Sequence, residues 1–580
     1  MDRFLRVFLY GVLLILLVTG CSKPENKSAT KETQSGESSG VVTVNGTQLA
    51  SVIEGLWVGS FELGKELVYL RVELKLEDED IKLTALYMLP GAPGAVGDVR
   101  LDSSRVNFEL TRDSDTIAFD GRLQGDTITG VVEHAGESGT FGLVRWVQVD
   151  DTLYDDYMGA YELEPGRAVF IRRHDFLKPD PPYPISRSWL SYVEESGRVG
   201  RLYPSSKTTF FSGPTYLVPF PVEVEVTFVR NQEGKVSGLV WRERGGAERT
   251  APRSTLYREE NVTFRNGDIT LAGRLLVPNT KGPHPAVIMV QGGGPTNRNL
   301  PVFPEYVFAR HGIAALVYDG RGTGASTGGA WRESSFGDLA EDALAGVEFL
   351  RRHKDINPRQ VGIWGFTDGG GAVASLAAAR SKDVAFLIMV SAPGLPYAEQ
   401  LPMGTEAALR VDGFSGEEIE EALAFVKLEA DFIRTGEEWE KLEAAIQTVK
   451  DKKWFSYTDA GYWGEATSED HWVWRFQRLR AGHNPVSVLG AVTCPVLAIW
   501  GELDMWVPPE PNKSIVGKAL REGGNTDYTL KVFAKAGHSI WLAGTGGLED
   551  WPHVKTYVPG YFETMTEWLL KRVDVARRTE

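Results

Sequence analysis

Two patterns of hydrophobic and polar positions divide this chain near residue 258. Before that point, apolar and polar residues alternate in short runs, such as those at 67–74 and 222–228, which are broken by Gly, Asp, Asn and Pro. Alternation with period two is typical of half-exposed antiparallel strands, and helical periodicity is hard to find here. The first part of the chain is therefore predicted to be β-rich.

The β-rich part contains a weak internal repeat. The run Trp-Val-Gly-Ser-Phe-Glu-Leu from Trp57 is echoed by Tyr-Met-Gly-Ala-Tyr-Glu-Leu from Tyr157, and each unit later shows a turn-rich hairpin. Self-similarity at long period marks duplicated units. We predict two small β-domains, at 41–150 and 151–258, each a barrel or a sandwich. We interpret Trp57 and Tyr157 as core residues rather than as part of a binding surface.

From residue 259 onward, strands alternate with helices. The Asn-Gly-Asp turn at 266–268 predicts a hairpin, and apolar residues recur at helical spacing from Leu339 to Leu350. Strand–helix alternation predicts a largely parallel sheet that is covered by helices on both faces. Apolar runs of the buried-strand type lie at 285–290, 313–318, 361–364, 384–390 and 496–500, and a last strand is predicted at 528–533.

Composition and charge limit the classes of function. A chain of 580 residues is too long for one core, and its apolar content of 42% is ample for two to four folded domains. The net charge of −16 argues against nucleic acid as a partner. The histidines are scattered singly, without zinc or calcium spacing, so we predict no metal and no cofactor.

The N-terminus has the pattern of an export signal. Two arginines precede an apolar run at 7–18 that is too short to span a bilayer, and the segment Leu-Val-Thr-Gly-Cys ends at Cys21. This segment resembles a bacterial lipoprotein signal, which implies cleavage before Cys21 and lipid attachment to its thiol; the alternative is an ordinary secretory signal. We predict a signal peptide at 1–21, a disordered tether at 22–40, and an extracytoplasmic protein that is lipid-anchored to a bacterial membrane.

A candidate catalytic triad follows the apolar runs of the second part. The motif Gly-Phe-Thr-Asp-Gly-Gly at 365–370 is typical of a nucleophile elbow, a sharp strand-to-helix turn, with Thr367 where serine is usual. Asp504 and His538 follow in the order nucleophile, acid, histidine. In such a triad Thr367 attacks, His538 takes its proton and Asp504 orients the imidazole.

Further residues near these motifs are candidates for the same site. Glycines after the run at 285–290 let backbone N–H groups approach a developing oxyanion, and we assign the oxyanion hole to the N–H groups of Gly293 and Asp368. No Lys-Ser/Thr follows this loop, which argues against a phosphate-binding P-loop. Trp506 and Trp541 lie beside the acid and the histidine, and we predict that both line the substrate pocket.

About the last 320 residues resemble a bacterial family of exported α/β-hydrolases related to dienelactone hydrolases, serine aminopeptidases and acyl esterases. The resemblance is carried by the elbow, the Asp504 and His538 motifs, Gln-Gly-Gly-Gly-Pro at 291–295 and Asp-Gly-Arg-Gly-Thr-Gly at 319–324. It implies an α/β-hydrolase fold over 259–580 and hydrolysis of esters or small acyl compounds. Family members usually have histidine and serine at the positions of Gln291 and Thr367, so the chain departs from the family at both.

An insertion at about 396–484 interrupts the strand–helix alternation. It is helical and charged, with an amphipathic helix at 417–434, and then becomes unusually aromatic from Trp454 to Phe476. In a hydrolase sheet an insertion at this place would form a helical cap over the active site. We interpret most of these aromatic residues as the core of the cap and about a quarter of them as pocket residues.

Three hypotheses for the function remain open from the residues. The first is a membrane-tethered carboxylesterase that acts on a small-molecule ester through Thr367, His538 and Asp504. The second is a catalytically silent hydrolase fold that serves as a binding lipoprotein, which the departures at Thr367 and Gln291 motivate. The third is an exo-peptidase of the serine aminopeptidase type, which would need an acidic residue in the pocket to hold the free amine of a peptide-like substrate.

Overall fold

The computed structural model describes residues 53–575 apart from a few short stretches. The exceptions are residues 65, 78–79, 88–94, 103, 113–114, 178–184, 292–293, 301, 303 and 463–465. The predicted signal peptide and tether, Cys21 and Gly293 therefore lie outside the described residues. Within the described ranges, no helix combines the length and the apolar character that crossing a membrane would need.

The first sheet is a closed eight-stranded antiparallel barrel. Its strands are β1 Gly55–Leu63, β2 Glu66–Glu77, β3 Asp80–Tyr87, β4 Ala95–Asp102, β5 Arg105–Arg112, β6 Asp115–Gln124, β7 Thr127–His134 and β8 Glu137–Trp146. Each strand pairs with its neighbour in sequence, and β8 pairs back with β1. Inside the barrel, Phe119 stacks on Phe108 at 4.5 Å between ring centroids and packs edge-on against Phe61 and Phe141. Trp57 is fully buried among them, which confirms its interpretation as a core residue.

The second sheet is an eight-stranded antiparallel meander. It follows the short helix α1 Tyr154–Tyr157, and its strands are β9 Gly159–Glu164, β10 Arg167–Leu177, β11 Ile185–Glu194, β12 Val199–Pro204, β13 Thr209–Ser212, β14 Val224–Arg230, β15 Val236–Glu243 and β16 Glu248–Pro252. A bridge between Tyr161 and Arg253 brings the two edges together. Tyr157 is buried in the core of this sheet and stacks on Phe228 at 4.0 Å, so it is also a core residue. The prediction of a β-rich N-terminal part is confirmed.

The third sheet has eight strands in the order β17-β18-β20-β19-β21-β22-β23-β24. An antiparallel hairpin joins β17 to β18 through the predicted turn, and β19 to β24 run parallel. This order, with helices on both faces, is that of the α/β-hydrolase fold, so the fold prediction is confirmed. The strands are β17 Tyr257–Asn266, β18 Ile269–Pro278, β19 His284–Gln291, β20 Ala314–Tyr318, β21 Ile356–Phe366, β22 Leu387–Val390, β23 Val496–Gly501 and β24 Tyr528–Phe533.

Helices cover this sheet and form the insertion between β22 and β23. Those packed on the sheet are α2 Glu305–Arg310, α3 Phe336–Arg352, α4 Ser375–Arg380, α10 Pro485–Leu489, α11 Pro509–Glu522 and α12 Tyr561–Leu570, and those of the insertion are α5 Tyr397–Val411, α6 Gly416–Thr435, α7 Trp439–Val449, α8 Asp459–Tyr462 and α9 Trp472–Ala481. Short 3₁₀ helices lie at Asp151–Leu153, Trp331–Glu333, Lys453–Tyr457 and Leu548–His553. Serine capping boxes start α3 at Ser335 and α6 at Ser415, because each serine is followed three residues later by an acidic side chain.

The insertion forms a helical cap above the carboxyl ends of the parallel strands. Trp454, Phe455 and Trp474 are buried in its own core. Tyr457, Tyr462 and Phe476 instead line a cavity beneath it. Of the seven described aromatic residues from Trp454 to Phe476, three thus line the cavity, which is more than the predicted quarter.

Candidate active site

Thr367 occupies the sharp turn between β21 and the helical segment that follows. Its φ is +49°, in the left-handed region that side chains with a branched Cβ rarely adopt. The turn is held from both sides: the N–H of Thr367 donates to the oxygen of Val390 at 2.8 Å, and the N–H groups of Gly370 and Gly371 donate to the oxygen of Thr367 at 2.9 Å. A Cβ at Gly365 would come within 2.4 Å of the oxygen of Gly369, so the turn requires glycine there. The chain therefore holds a strained elbow of the predicted type.

A π-helix, Gly369–Ala374, follows the elbow and leads into α4. Its three glycines are buried, and a Cβ at Gly371 would lie 2.6 Å from the oxygen of Pro393. Small residues at this place let the helix pack closely against the strand end that carries Thr367. Asp368, directly after Thr367, is the N-cap residue of this π-helix.

His538 is held by Asp504. Nδ1 of His538 lies 2.8 and 2.9 Å from the two carboxylate oxygens of Asp504, which is buried. Oδ1 of Asp504 also accepts the N–H groups of Trp506 and Val507, at 3.0 and 2.9 Å, and Ser391 Oγ donates to the oxygen of His538 at 2.6 Å. These bonds fix both side chains and leave Nε2 of His538 as the imidazole nitrogen available for proton transfer.

Thr367 and His538 line the same cavity, next to each other in the fold. The ring of Phe366 packs against the imidazole with centroids 5.1 Å apart. Among the described residues, no hydrogen bond joins Oγ1 of Thr367 to His538. The histidine–aspartate half of the triad is thus assembled, whereas the nucleophile–histidine contact is not formed in this structure.

The cavity has a volume of about 230 Å³ and lies between the elbow and the cap. Trp506 lines it, as predicted for this residue. Trp541 does not: it is buried and packs against Tyr216 at 5.3 Å and Trp551 at 5.4 Å between ring centroids. The prediction for Trp541 is wrong because its backbone bridges to Tyr557, which directs the indole into the core behind the histidine rather than toward the cavity.

Asp368 and Arg480 bring charge to this cavity. The carboxyl group of Asp368 is half-buried and faces the cavity, and its deep position raises its pKa, although the charges of Arg480 and His538 act in the opposite sense. Arg480, on α9, is buried and lies 3.9 Å from the ring centroid of Phe476. Burial lowers the pKa of Arg480 to about 9, and Asp368 offsets this only in part. Of the two predicted oxyanion donors, Asp368 is thus placed at the elbow, while Gly293 lies outside the described residues.

The cap supplies polar groups that sequence reasoning missed. Oη of Tyr397 donates to both oxygens of Asp459, at 2.8 and 2.9 Å, and Nε2 of Gln477 donates to Asp459 at 3.0 Å and to Tyr397 at 2.7 Å. All three residues line the cavity. They come from three helices of the cap and follow no motif, so no signal in the sequence could have brought them together.

Outside the cavity, within the described part of the chain, one group of ligand-type side chains could hold a metal ion: Glu260, His353 and Asp355. Arg258 already pairs with Glu260 at 2.9 Å and with Asp355 at 2.6 Å, and His353 lies 3.2 Å from Glu260. Arg258 neutralises the charge of both carboxylates, so this group is an ion-pair cluster at the edge of the third sheet.

Comparison with known proteins agrees with the fold. Residues 282–543, less than half of the chain, match the family model described as serine aminopeptidase, S33. The chain is 32% identical over 139 residues to a polyketide transferase from Stachybotrys chlorohalonatus, which covers 24% of this chain and 46% of that protein. It is 27% identical over 187 residues to the esterase EstD from Thermotoga maritima, covering 30% of this chain and 43% of that protein.

Among solved structures, an esterase of Pyrococcus furiosus matches 55% of this chain and 92% of its own chain, at 15% identity and a TM-score of 0.34. The chain spans less than half the length of the two curated relatives named above. The third sheet and its cap therefore form an α/β-hydrolase domain that is similar in sequence to serine aminopeptidases and esterases.

Proposed function

We propose that this protein is a cofactor-independent hydrolase of small carboxylic esters, with Thr367 as nucleophile, His538 as general base and Asp504 as the residue that orients His538. The observation that carries the proposal is the strained elbow: Thr367 stands at φ +49° in a cavity that it shares with His538, whose Nδ1 is held at 2.8 Å by Asp504. A β-branched residue in this conformation costs about 1–3 kcal/mol, which a purely structural turn would avoid by using glycine.

The reaction follows from the roles of these groups. Oγ1 of Thr367 attacks the ester carbonyl carbon while Nε2 of His538 takes its proton, and the tetrahedral oxyanion is stabilised by the N–H groups of Asp368 and Gly293. The bond to the leaving alcohol then breaks, and His538 returns the proton to that oxygen. Water, deprotonated by His538, cleaves the acyl-threonine and restores the free hydroxyl.

The volume of the cavity limits the size of the substrate. A volume of about 230 Å³ that is walled by Leu300, Phe336, Leu395 and Phe476 suits a short acyl group and a small alcohol. The predicted lipid on Cys21 would place this activity outside the cytoplasm, on a bacterial membrane. Both the substrate size and the location are parts of the proposal.

A second candidate function is an exo-peptidase, which Asp368 favours. Its carboxyl group faces the cavity one residue from the nucleophile, where it could pair with the free amine of an amino-terminal residue. Because burial raises the pKa of Asp368, such pairing would strengthen as the pH rises and the carboxyl group ionises. Cleavage of aminoacyl p-nitroanilides that is lost in Asp368→Asn, with p-nitrophenyl ester hydrolysis retained, would favour this candidate over the first.

Hydrolysis of short p-nitrophenyl esters by the chain from Ser22 onward tests the proposal. We expect turnover by the parent protein that is lost in Thr367→Ala and retained or increased in Thr367→Ser, because serine lacks the methyl group that crowds the tetrahedral intermediate. An inert parent beside an active Thr367→Ser would contradict the proposal. That result would instead support a silent hydrolase fold that binds a ligand.

A further inference from the structure

The loop that follows β19 is anchored by its own domain on one side. This loop, residues 294–300 and called here the β19 loop, continues directly from Gly293, the proposed oxyanion donor. The N–H of Arg298 donates to Oδ1 of Asp319 at 2.9 Å, and the guanidinium group pairs with Oδ2 of Asp319 at 2.7 Å. The N–H of Gly320 donates to the oxygen of Thr296 at 3.0 Å. These bonds tie the loop to the end of β20.

The second sheet anchors the same loop from outside the hydrolase domain. Nη2 of Arg172, on β10, donates to the oxygen of Leu300 at 2.9 Å and pairs with Glu305 at 3.2 Å. Three residues further along β10, Oδ2 of Asp175 accepts a hydrogen bond from Nδ2 of Asn299 at 2.6 Å. The side chain of Leu300 lines the cavity, so the residue whose carbonyl Arg172 holds is itself part of the site.

The charged side chains next to the β19 loop are buried. The side chains of Arg172 and Glu305 are 7% and 1% exposed, and Arg274 lies 3.5 Å from the other oxygen of Glu305. Moving the β19 loop away from the second sheet would take one hydrogen-bond partner from each of two buried charged side chains, Arg172 and Asp175. These two contacts therefore hold the loop against the second sheet.

The second sheet also holds the segment behind His538. The N–H of Val199 donates to the oxygen of Lys555 at 2.9 Å, and the N–H of Tyr557 donates to the oxygen of Gly197 at 2.9 Å. The next residue, Val558, donates its N–H to the oxygen of Ile540, two residues after the histidine, at 3.1 Å. One β-sheet thus contacts both the β19 loop and the segment behind His538.

We propose that the second sheet is a working part of the active site, in which Arg172 and Asp175 are positioning residues that set the β19 loop and, through it, the cavity wall at Leu300. This inference rests on the proposed ester hydrolysis. It assigns to this sheet a role in the chemical step, since a displacement of about 1 Å in a wall that positions the substrate can cost about 100-fold in rate.

The test compares Arg172→Met with Arg167→Met on the same strand. Arg167 pairs at 3.0 and 2.9 Å with Glu194 and Glu243 inside the second sheet, so it is a matched arginine that lies away from the β19 loop. Three experiments are run on each variant: steady-state kinetics with p-nitrophenyl acetate, which give kcat and KM; inhibition by a trifluoromethyl ketone that mimics the tetrahedral intermediate; and amide hydrogen exchange of the peptide that covers residues 294–300.

We expect Arg172→Met to lower kcat by about 10- to 100-fold, to weaken the ketone by a similar factor with a much smaller change in KM, and to speed exchange in the β19 loop. Arg167→Met should leave all three unchanged. Arg172→Lys should recover part of the loss, because an ammonium group restores the positive charge beside Glu305 but differs from the guanidinium group in reach and shape.

Equal kinetics and equal loop exchange in the two methionine variants would overturn the inference. If Arg172→Met does not fold, Asn299→Ala replaces it: this variant cuts the link to the second sheet, while Asp175 keeps bonds to Arg173 and Ser188. If neither the parent nor Thr367→Ser hydrolyses any ester, the proposed function fails. In that case, the amide hydrogen exchange of residues 294–300 in Arg172→Met and Arg167→Met still shows whether the second sheet anchors the β19 loop.

Discussion

The two β-sheets of the N-terminal half share a strand pattern and differ in what their outer faces contact. The barrel keeps its core inside, and its outer face meets the second sheet through a small apolar patch around Val58 and Tyr69. The second sheet buries its inner face as a core of its own and also its outer face, where Phe170 and Trp189 join a large apolar cluster of the hydrolase domain.

This difference shows that the role of a β-sheet depends on whether one or both of its faces are buried. Strand β10 is buried on both faces. Arg172 lies on the outward face with Phe170, and Asp175 lies on the opposite face near the end of the strand, yet both contact the β19 loop. From an alternating sequence pattern, charged side chains on a strand are predicted to be exposed to water. Here they are the contacts that reach the active site, whereas the barrel has no described contact with the cavity.

The largest expected difference between the two sheets is the loss of stability when an ion pair is removed from each. Glu305→Ala leaves Arg172 and Arg274 buried without their carboxylate and should destabilise the protein by about 3–5 kcal/mol. Asp120→Ala removes an ion pair with Arg105 on the barrel surface, where the two side chains are 46% and 56% exposed, and should lower stability only slightly. Urea unfolding followed by circular dichroism measures both; a similar midpoint shift in the two variants would remove the distinction.

Matched core substitutions sharpen the comparison at a smaller scale. Phe119 in the barrel and Phe170 in the second sheet are 2% and 1% exposed, and Phe170 stacks on Tyr306 of α2 at 5.9 Å. Replacing either with leucine should cost about 1 kcal/mol of stability. Only Phe170→Leu should also lower kcat, because α2 begins where the segment after the β19 loop ends.

The readout for this pair is the initial rate of ester hydrolysis at a temperature well below both unfolding transitions. Under that condition a loss of global stability alone leaves the rate unchanged. A fall in kcat for Phe119→Leu that equals the fall for Phe170→Leu would mean that the barrel is coupled to the site as tightly as the second sheet.

The pH dependence of stability gives the smallest expected difference, and it has opposite signs for two aspartates. Burial raises the pKa of Asp368 above its unfolded value, so its ionised form costs stability at pH 7, and Asp368→Asn should raise Tm there. The hydrogen bond from Arg105 lowers the pKa of Asp120, so Asp120→Asn should lower Tm slightly at pH 7. The difference for Asp368 should vanish below its unfolded pKa of about 3.8, whereas the difference for Asp120 is lost only as the pH falls further, through the lower pKa of the folded state. Calorimetric scans from pH 3 to 8 check the signs, and equal signs would contradict the burial assigned to Asp368.

Much of the fold and part of the site could be predicted from the sequence, because local patterns determine them. The apolar runs indicate buried strands, and the glycines around Thr367 indicate the sharp turn. Asp504 and His538 follow in the order expected of a triad. Trp541 was misplaced because proximity in sequence to His538 does not fix the direction of a side chain. The buried charges of β10 and the cap residues Tyr397 and Gln477 could not be found, since their partners lie far away in sequence.

The central claim is that Thr367 acts as a nucleophile in this strained elbow. The most direct measurement is intact-mass and peptide-mass analysis of the chain from Ser22 onward after treatment with a fluorophosphonate, beside Thr367→Ala, Thr367→Ser and His538→Ala. The account predicts one covalent adduct on the peptide that contains Thr367, absent in Thr367→Ala and strongly reduced in His538→Ala, because the base is missing. A parent that stays unlabelled while Thr367→Ser is labelled would contradict the account and show a cavity that is complete except for its nucleophile.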